Sequence, residues 1–303
     1  MRTLMKWLVR LVLAVLLVAG AFLAYVYHAV DQRIAQTYTV QTPSIPIPTD
    51  AAAVARGQYL VEKVSMCGAC HGKNLGGDTF DEPNFMMGTL YSANLTSGRG
   101  GIGAGYTNED LTRVLLHGVK KDGHSVLFMP SQDYHFTEAD AAAIIAYLRT
   151  VPPVDHETPA STIGPMARIL TYLHAYPLLP AEAIDHANAH FATPPPPVDA
   201  ERGRYLVDSA GCRGCHLPDL IGGGGPPPGA ANITPVGIGD WKEPDFIRAI
   251  REHKRPNGSA IAEGMPRVYA TMGDEELRLI FAYLKTVPAK GEKSKSQKAQ
   301  LKG

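Results

Sequence analysis

Two stretches of this chain are written to the same plan, and that repeat limits the fold more than any other feature. The first copy opens Arg56-Gly57-Gln58-Tyr59-Leu60-Val61 and runs to Cys67; the second opens Arg202-Gly203-Arg204-Tyr205-Leu206-Val207 and runs to Cys212. The copies end alike, at Ala146-Tyr147-Leu148-Arg149-Thr150-Val151-Pro152 and at Ala282-Tyr283-Leu284-Lys285-Thr286-Val287-Pro288. Between these ends, Asn94-Leu95-Thr96 matches Asn232-Ile233-Thr234, and Gly101-Ile102-Gly103 matches Gly237-Ile238-Gly239. Matching blocks in the same order imply two copies of one structural unit. The length of 303 residues is the size of about two domains.

All four cysteines lie inside the repeat, as Cys67-Gly68-Ala69-Cys70-His71 and Cys212-Arg213-Gly214-Cys215-His216. Cys-x-x-Cys-His is the attachment pattern of c-type haem. Positions i, i+3 and i+4 share one face of a helical turn. Two thiols can therefore add to the two haem vinyl groups while the histidine meets the iron from the same side. Disulfides and zinc sites also use Cys-x-x-Cys, and the two pairs together could make one four-cysteine zinc site. Neither alternative explains a histidine directly after both pairs. Two covalently bound haem c groups are expected, attached through Cys67, Cys70, Cys212 and Cys215, with His71 and His216 on the irons.

A sixth iron ligand can be sought in the same way. Of nine methionines, only Met129 and Met265 occupy matching positions: each precedes a proline and lies 18 residues before Tyr147 or Tyr283. A single methionine usually fills a gap in a core, but this pair matches in position and chemistry together. Met129 and Met265 are the expected distal ligands. His186 and His190 are spaced i, i+4 and could clamp a metal, but they lack a carboxylate motif and a counterpart in the other unit. They read as packed or solvated side chains, and His117, His124, His135, His174 and His253 carry no motif.

Each unit reads as mainly α, with long Gly/Pro-rich loops. First helices are expected after Asp50 and Asp199 as N-caps. A middle helix should start at the capping box Thr107-x-x-Asp110 and bury Leu111, Val114 and Leu115, with Phe246, Ile247 and Ile250 in that role in the second unit. Last helices should start at Thr137-x-x-Asp140, burying Ala141, Ile144, Ile145 and Leu148, and repeat the spacing with Leu277, Ile280, Phe281 and Leu284. The expected architecture is mainly α, two tandem haem-binding domains, residues 51–153 and 199–289, after an N-terminal transmembrane helix in residues 1–30. Residues 31–50 read as a stiff tether, 154–198 as an interdomain linker with a short helix near Met166 to Leu173, and 290–303 as a basic disordered tail.

The stretch Leu11 to Tyr27 is apolar and uncharged, and Arg2, Lys6 and Arg10 precede it. It is just long enough to span a bilayer, and the positive flank places the N-terminus in the cytoplasm. A cleaved signal peptide is the rival reading, because Ala19-Gly20-Ala21 is a small-x-small site. Either way the repeat lies on the periplasmic side of a bacterial cytoplasmic membrane. Outside the N-terminal cations and the tail, 21 basic residues face 28 acidic ones, so nucleic acid is excluded as a partner.

These blocks together resemble the dihaem and trihaem cytochrome c proteins that accompany membrane-bound bacterial alcohol and sugar dehydrogenases. The resemblance runs from about Ala52 to Pro288 and implies that the two tandem domains are class I cytochrome c domains. It is carried by Gly88-Thr89-Leu90-Tyr91-Ser92-Ala93-Asn94-Leu95-Thr96, Asp122-Gly123, Met129-Pro130, Asn232-Ile233-Thr234-Pro235, Gly237-Ile238-Gly239-Asp240-Trp241, Asp245-Phe246 and Met265-Pro266. The chain departs from that family in having two haem motifs rather than three, in Tyr106 near where the second unit has Trp241, and in a shorter second haem loop.

With both irons filled by His and Met, the expected function is a relay of single electrons from a periplasmic dehydrogenase or other respiratory donor to a downstream acceptor. Its partners would be a dehydrogenase or another cytochrome, the terminal oxidase side, and the membrane through the N-terminal helix. The competing expectation is an enzyme, a dihaem peroxidase or thiosulfate-oxidising cytochrome, with one displaceable axial ligand. A haem sensor would likewise need an open iron.

Overall fold

The repeat is built on one helix crossing, used twice. The computed structural model describes residues 2–79, 84–224 and 229–292, so the tail beyond Glu292, read as disordered, lies outside it. In the first unit α2 (Ala51–Tyr59) packs across α5 (Glu138–Thr150). In the second, α7 (Asp199–Ser209) packs across α11 (Asp274–Leu284). Glycine makes both crossings possible. A Cβ on Gly57 would run into the Ala143 carbonyl, and one on Gly203 into the Leu279 carbonyl. Ala141, Ile144 and Ile145 are buried on α5, with Leu148 half-buried; Leu277, Ile280, Phe281 and Leu284 are buried on α11.

The middle helices are α4 (Asn108–His117) and α10 (Glu243–Glu252). Leu111 and Phe246 are their buried anchors, while Val114, Leu115, Ile247 and Ile250 are half-buried. The short helices α3 (Cys67–His71) and α8 (Cys212–His216) carry the cysteine motifs, and α9 (Pro235–Ile238) follows in the second unit.

Gly57 and Cys67 are ten residues apart, whereas Gly203 and Cys212 are nine apart. The extra residue is taken up by a π-helical turn, Leu60–Val64, that continues α2. Each motif helix is then entered through one left-handed residue, Met66 (φ 54°) or Gly211 (φ 68°). The π-turn therefore restores the register between the two copies.

Most capping expectations have direct counterparts. The Asp50 side chain accepts from the Ala53 amide at 3.0 Å. Thr107 and Asp110 form the full reciprocal box at 3.1 and 2.9 Å. One expectation needs correction. Asp199 is the first residue of α7 rather than its cap; Val198 holds the cap position, and the Asp199 carboxylate accepts from Arg278 at 2.7 Å instead. The last helix of the first unit starts where expected: Thr137 caps α5, accepting from the Asp140 amide at 3.1 Å, while the Asp140 side chain does not bond back to the Thr137 amide. Its carboxylate is occupied by Arg56 at 2.9 and 2.8 Å and by the Tyr205 hydroxyl.

The N-terminal helix α1 runs from Arg2 to Ile34, beyond the expected end at residue 30 and into the segment read as a tether. The rest of that segment is laid on the first unit rather than left free. The Tyr38 amide donates to the Gly123 carbonyl at 2.8 Å, and Ile45 joins the core. The linker also has structure: α6 (Pro165–Tyr172) packs on α1 over the buried Val26 and Val30. Strand β1 (Gly88–Thr89) pairs antiparallel with β2 (Thr162–Ile163), joining the linker to the first unit.

The two units share one core cluster, with residues such as Leu60 and Ile145 from the first and Leu206 and Leu284 from the second. Their interface is reciprocal. Tyr59 of the first unit donates to Glu276 and accepts from the Gly273 amide at 2.9 Å, at the start of α11. Tyr205 of the second donates to Asp140 and accepts from the Thr137 amide at 3.2 Å, at the start of α5. Each repeat tyrosine thus caps the last helix of the other unit, as a pseudo-two-fold arrangement requires.

Candidate functional site

Both motif histidines are held the same way. The His71 ring bonds through Nδ1 to the Ala93 carbonyl at 2.7 Å, and His216 through Nδ1 to the Ala231 carbonyl at 2.7 Å. Facing a carbonyl, Nδ1 must be the protonated nitrogen, so Nε2 keeps its lone pair for a metal. Burial lowers both imidazole pKa values, opposed by the carbonyl bond, and favours this neutral form.

The Asn-x-Thr blocks of the repeat secure those carbonyls. Asn94 is fully buried; it donates to the Val154 carbonyl at 2.7 Å and accepts from the Thr96 amide at 2.9 Å. Asn232 does the same with the Lys290 carbonyl and the Thr234 amide, both at 2.9 Å. Each asparagine directly follows the alanine that orients the histidine, and it ties that loop to the chain leaving the last helix.

Two tyrosines not singled out by sequence anchor the other end of each motif. Tyr134 donates to the Ser65 carbonyl, and Tyr269 donates to the Ala210 carbonyl at 2.6 Å. Each acceptor lies two residues before the first cysteine. Tyr134 follows Met129 by five residues and Tyr269 follows Met265 by four, and this offset hides the correspondence in the sequence. Tyr134 also reaches the other unit: a Cβ on Gly211 would lie 3.3 Å from its ring. Asp133 lies against Gly214 in the same way, at 2.7 Å. The first unit's methionine segment is therefore packed on the second unit's motif helix.

In the second unit, Cys212, His216 and Met265 line one cavity of about 860 Å³, counting the solvent at its mouth. Its other walls are apolar and include Val207, Ile238, Trp241 and Phe246. Among the described residues Arg255 is the only Asp, Glu, Lys or Arg lining it, and burial lowers the Arg255 pKa. An apolar slot with thiol, imidazole and thioether donors and one guanidinium suits a flat apolar macrocycle bearing carboxylates. In the first unit, Met129 lies half-buried just before the short 3₁₀ turn Ser131–Asp133, which leads into Tyr134.

Burial pushes the free Cys67 and Cys212 thiols up to about 12. Among the described residues no three His, Cys, Asp or Glu side chains are grouped to hold a metal, so the two pairs do not form one zinc site. His186 and His190 do not form a helical clamp either. His186 instead faces the buried His117, Nδ1 to Nδ1 at 3.3 Å.

Comparison with known proteins agrees with this geometry. Residues 52–148 match the family described as cytochrome C oxidase, cbb3-type, subunit III, and residues 200–288 match cytochrome c. A dihaem c-type cytochrome of Cereibacter sphaeroides is 31% identical over 209 residues, covering 62% of this chain and 68% of the relative. The chain belongs to the dihaem c-type cytochromes. The cytochrome carries two covalently bound haem c groups, one per unit. It is also 30% identical over 285 residues to the fructose dehydrogenase cytochrome subunit of Gluconobacter japonicus, covering 82% of this chain and 56% of that one. The cytochrome c subunit of the quinone alcohol dehydrogenase of Gluconobacter oxydans is 31% identical over 282 residues, covering 79% and 56%. This cytochrome thus spans just over half the length of those subunits.

Proposed function

We propose that this cytochrome relays single electrons, taking them from a periplasmic dehydrogenase or another respiratory donor and passing them to a downstream cytochrome or oxidase. Cys67 and Cys70 would hold the first haem with His71 and Met129 on its iron. Cys212 and Cys215 would hold the second with His216 and Met265. When bound, haem with His/Met ligation supplies reversible one-electron chemistry at a raised potential.

The observation that carries this reading is Met265 lining the same cavity as His216. A thioether bound to the iron there would fill the site that a peroxide or other substrate needs. The carbonyls of Ala93 and Ala231 orient the imidazoles, the apolar walls exclude water, and Arg255 would pair with a carboxylate of the bound haem. The kinship with dehydrogenase cytochrome subunits supports a dehydrogenase as the donor. In this reading α1 spans the bacterial cytoplasmic membrane once, with its N-terminus inside and both haem units on the periplasmic side. The tether and linker keep them beside membrane-bound partners.

The oxidised protein is expected to show the near-infrared charge-transfer band of methionine-ligated ferric haem for two centres. One high-spin haem that binds cyanide readily would instead indicate a dihaem enzyme. Met265→Ala should lower the potential of one haem and leave the other unchanged in a redox titration. Two unchanged potentials would show that Met265 is not a ligand.

A further inference from the structure

On α1, Trp7 and Tyr27 are 20 residues apart, about 30 Å along a helix, which is the thickness of a bilayer's hydrocarbon core. Apart from Arg10, the residues between them are uncharged, and the large apolar ones before Val26 are exposed. Aromatic residues at both ends suit the two membrane interfaces. The outer end is the part of α1 on which the first unit sits. The Tyr172 ring, at the end of α6, meets Phe22 edge-on at 6.3 Å and Tyr25 at 5.9 Å. Tyr172 is therefore at the depth where α1 leaves the hydrocarbon.

The surface around that point is apolar. Leu173, next to Tyr172, is 59% exposed. Phe85 is 85% exposed and lines a shallow groove with Tyr27 and Pro165. Met86 is exposed beside it, and its carbonyl accepts from the Met166 amide at 2.8 Å. Polar pairs follow further along α1: Arg168 binds Asp31 at 2.6 Å and stacks over Tyr27 at 4.4 Å, and Arg33 pairs with Glu182. The order along the axis is buried-depth aromatics, an exposed apolar ring, then ion pairs. A protein surface entering a lipid interface has this order.

We propose that Phe85–Met86 and Tyr172–Leu173 form a foot that enters the outer-leaflet interface and sets the first haem unit at a fixed height and orientation on the bilayer. This rests on α1 being a bilayer span. The occupant is lipid because the patch is continuous with the exposed apolar surface of α1 and touches it at the depth of the interface. Fixing the first unit there presents the remaining faces, including the second unit, to soluble partners.

The test uses the full-length dihaem protein in lipid nanodiscs. With all four native cysteines in thioether bonds, a new cysteine is the one free thiol, and the ferrous state keeps the haems diamagnetic. Nitroxide labels are placed at Phe85→Cys and Leu173→Cys, with Val15→Cys as the bilayer control and Arg99→Cys as the water control. Each label's collision rate with oxygen is compared with that for a water-soluble nickel chelate. We expect the oxygen preference at positions 85 and 173 to be several-fold above that at 99 and to approach that at 15. Labels at 85 and 173 as open to nickel as the one at 99 would overturn the foot while α1 still spans. Labels shielded from both reagents would also overturn it, placing protein rather than lipid on the patch. A water-exposed label at 15 would refute the span itself.

Discussion

Gly203 sits where α7 crosses α11, with no room for a side chain beneath the Leu279 carbonyl. Gly203→Ala must push two helices apart, at a cost of about 1–3 kcal/mol as in other overpacked cores. Thermal unfolding followed in the haem band should show a lower midpoint, and Gly57→Ala should behave alike because Gly57 faces the Ala143 carbonyl. Residue-scale features split by legibility. The cysteines, both motif histidines and the methionine pair stand at fixed spacings within the repeat. Tyr134 and Tyr269 do not, since their offsets from the methionine differ by one. Thr137-x-x-Asp140 was legible as the start of a helix, but the Asp140 carboxylate serves Arg56 and Tyr205, which are brought to it only by folding.

At the scale of elements, the start of each last helix is capped by a tyrosine from the other unit. Tyr59→Phe and Tyr205→Phe should each cost about 0.5–1.5 kcal/mol, and more where the carboxylate is left buried. Denaturant unfolding of the single and double variants measures the cost. The Tyr59 bond also carries a pH dependence. Burial and the bond to Glu276 raise its hydroxyl to about 12 from an ordinary 10. The raised value means the protonated phenol is favoured in the fold, so its contribution is complete below pH 10 and is lost as pH rises through about 12. Comparing the alkaline unfolding of wild type with Tyr59→Phe should show a steeper loss in the wild type. The π-turn Leu60–Val64 belongs to this scale too. A one-residue difference between repeats is visible in the sequence, but whether it widens a helix or lengthens a loop depends on what the motif helix packs against.

Across the whole molecule, the two haem units behave as one body. They share a core cluster, exchange tyrosine caps, and place Asp133 and Tyr134 of the first unit on the second unit's motif helix. A protease site placed between Thr193 and Val198 should therefore yield two fragments that stay together in size-exclusion chromatography. Separation without denaturant would show that the linker alone holds them. The tether and the end of the linker read as stiff, extended chain because of their prolines, and the linker as holding a short helix. What the sequence did not indicate is where they lie: both are laid on the first unit, where Ile45 enters the core and α6 grips α1.

The repeat and its spacings were enough to establish two cytochrome c units and two covalent haems, because thioether attachment and imidazole ligation need particular residue types at short, fixed separations. The long apolar helix was legible for a similar reason, as a run of composition. Contacts between distant segments were not, and they come from tertiary packing. The asparagines that hold the histidine carbonyls, the tyrosines exchanged between units and the seat of α6 on α1 each join residues dozens to more than two hundred positions apart. Their partners are chosen by the shape of the folded surfaces, which no local spacing encodes.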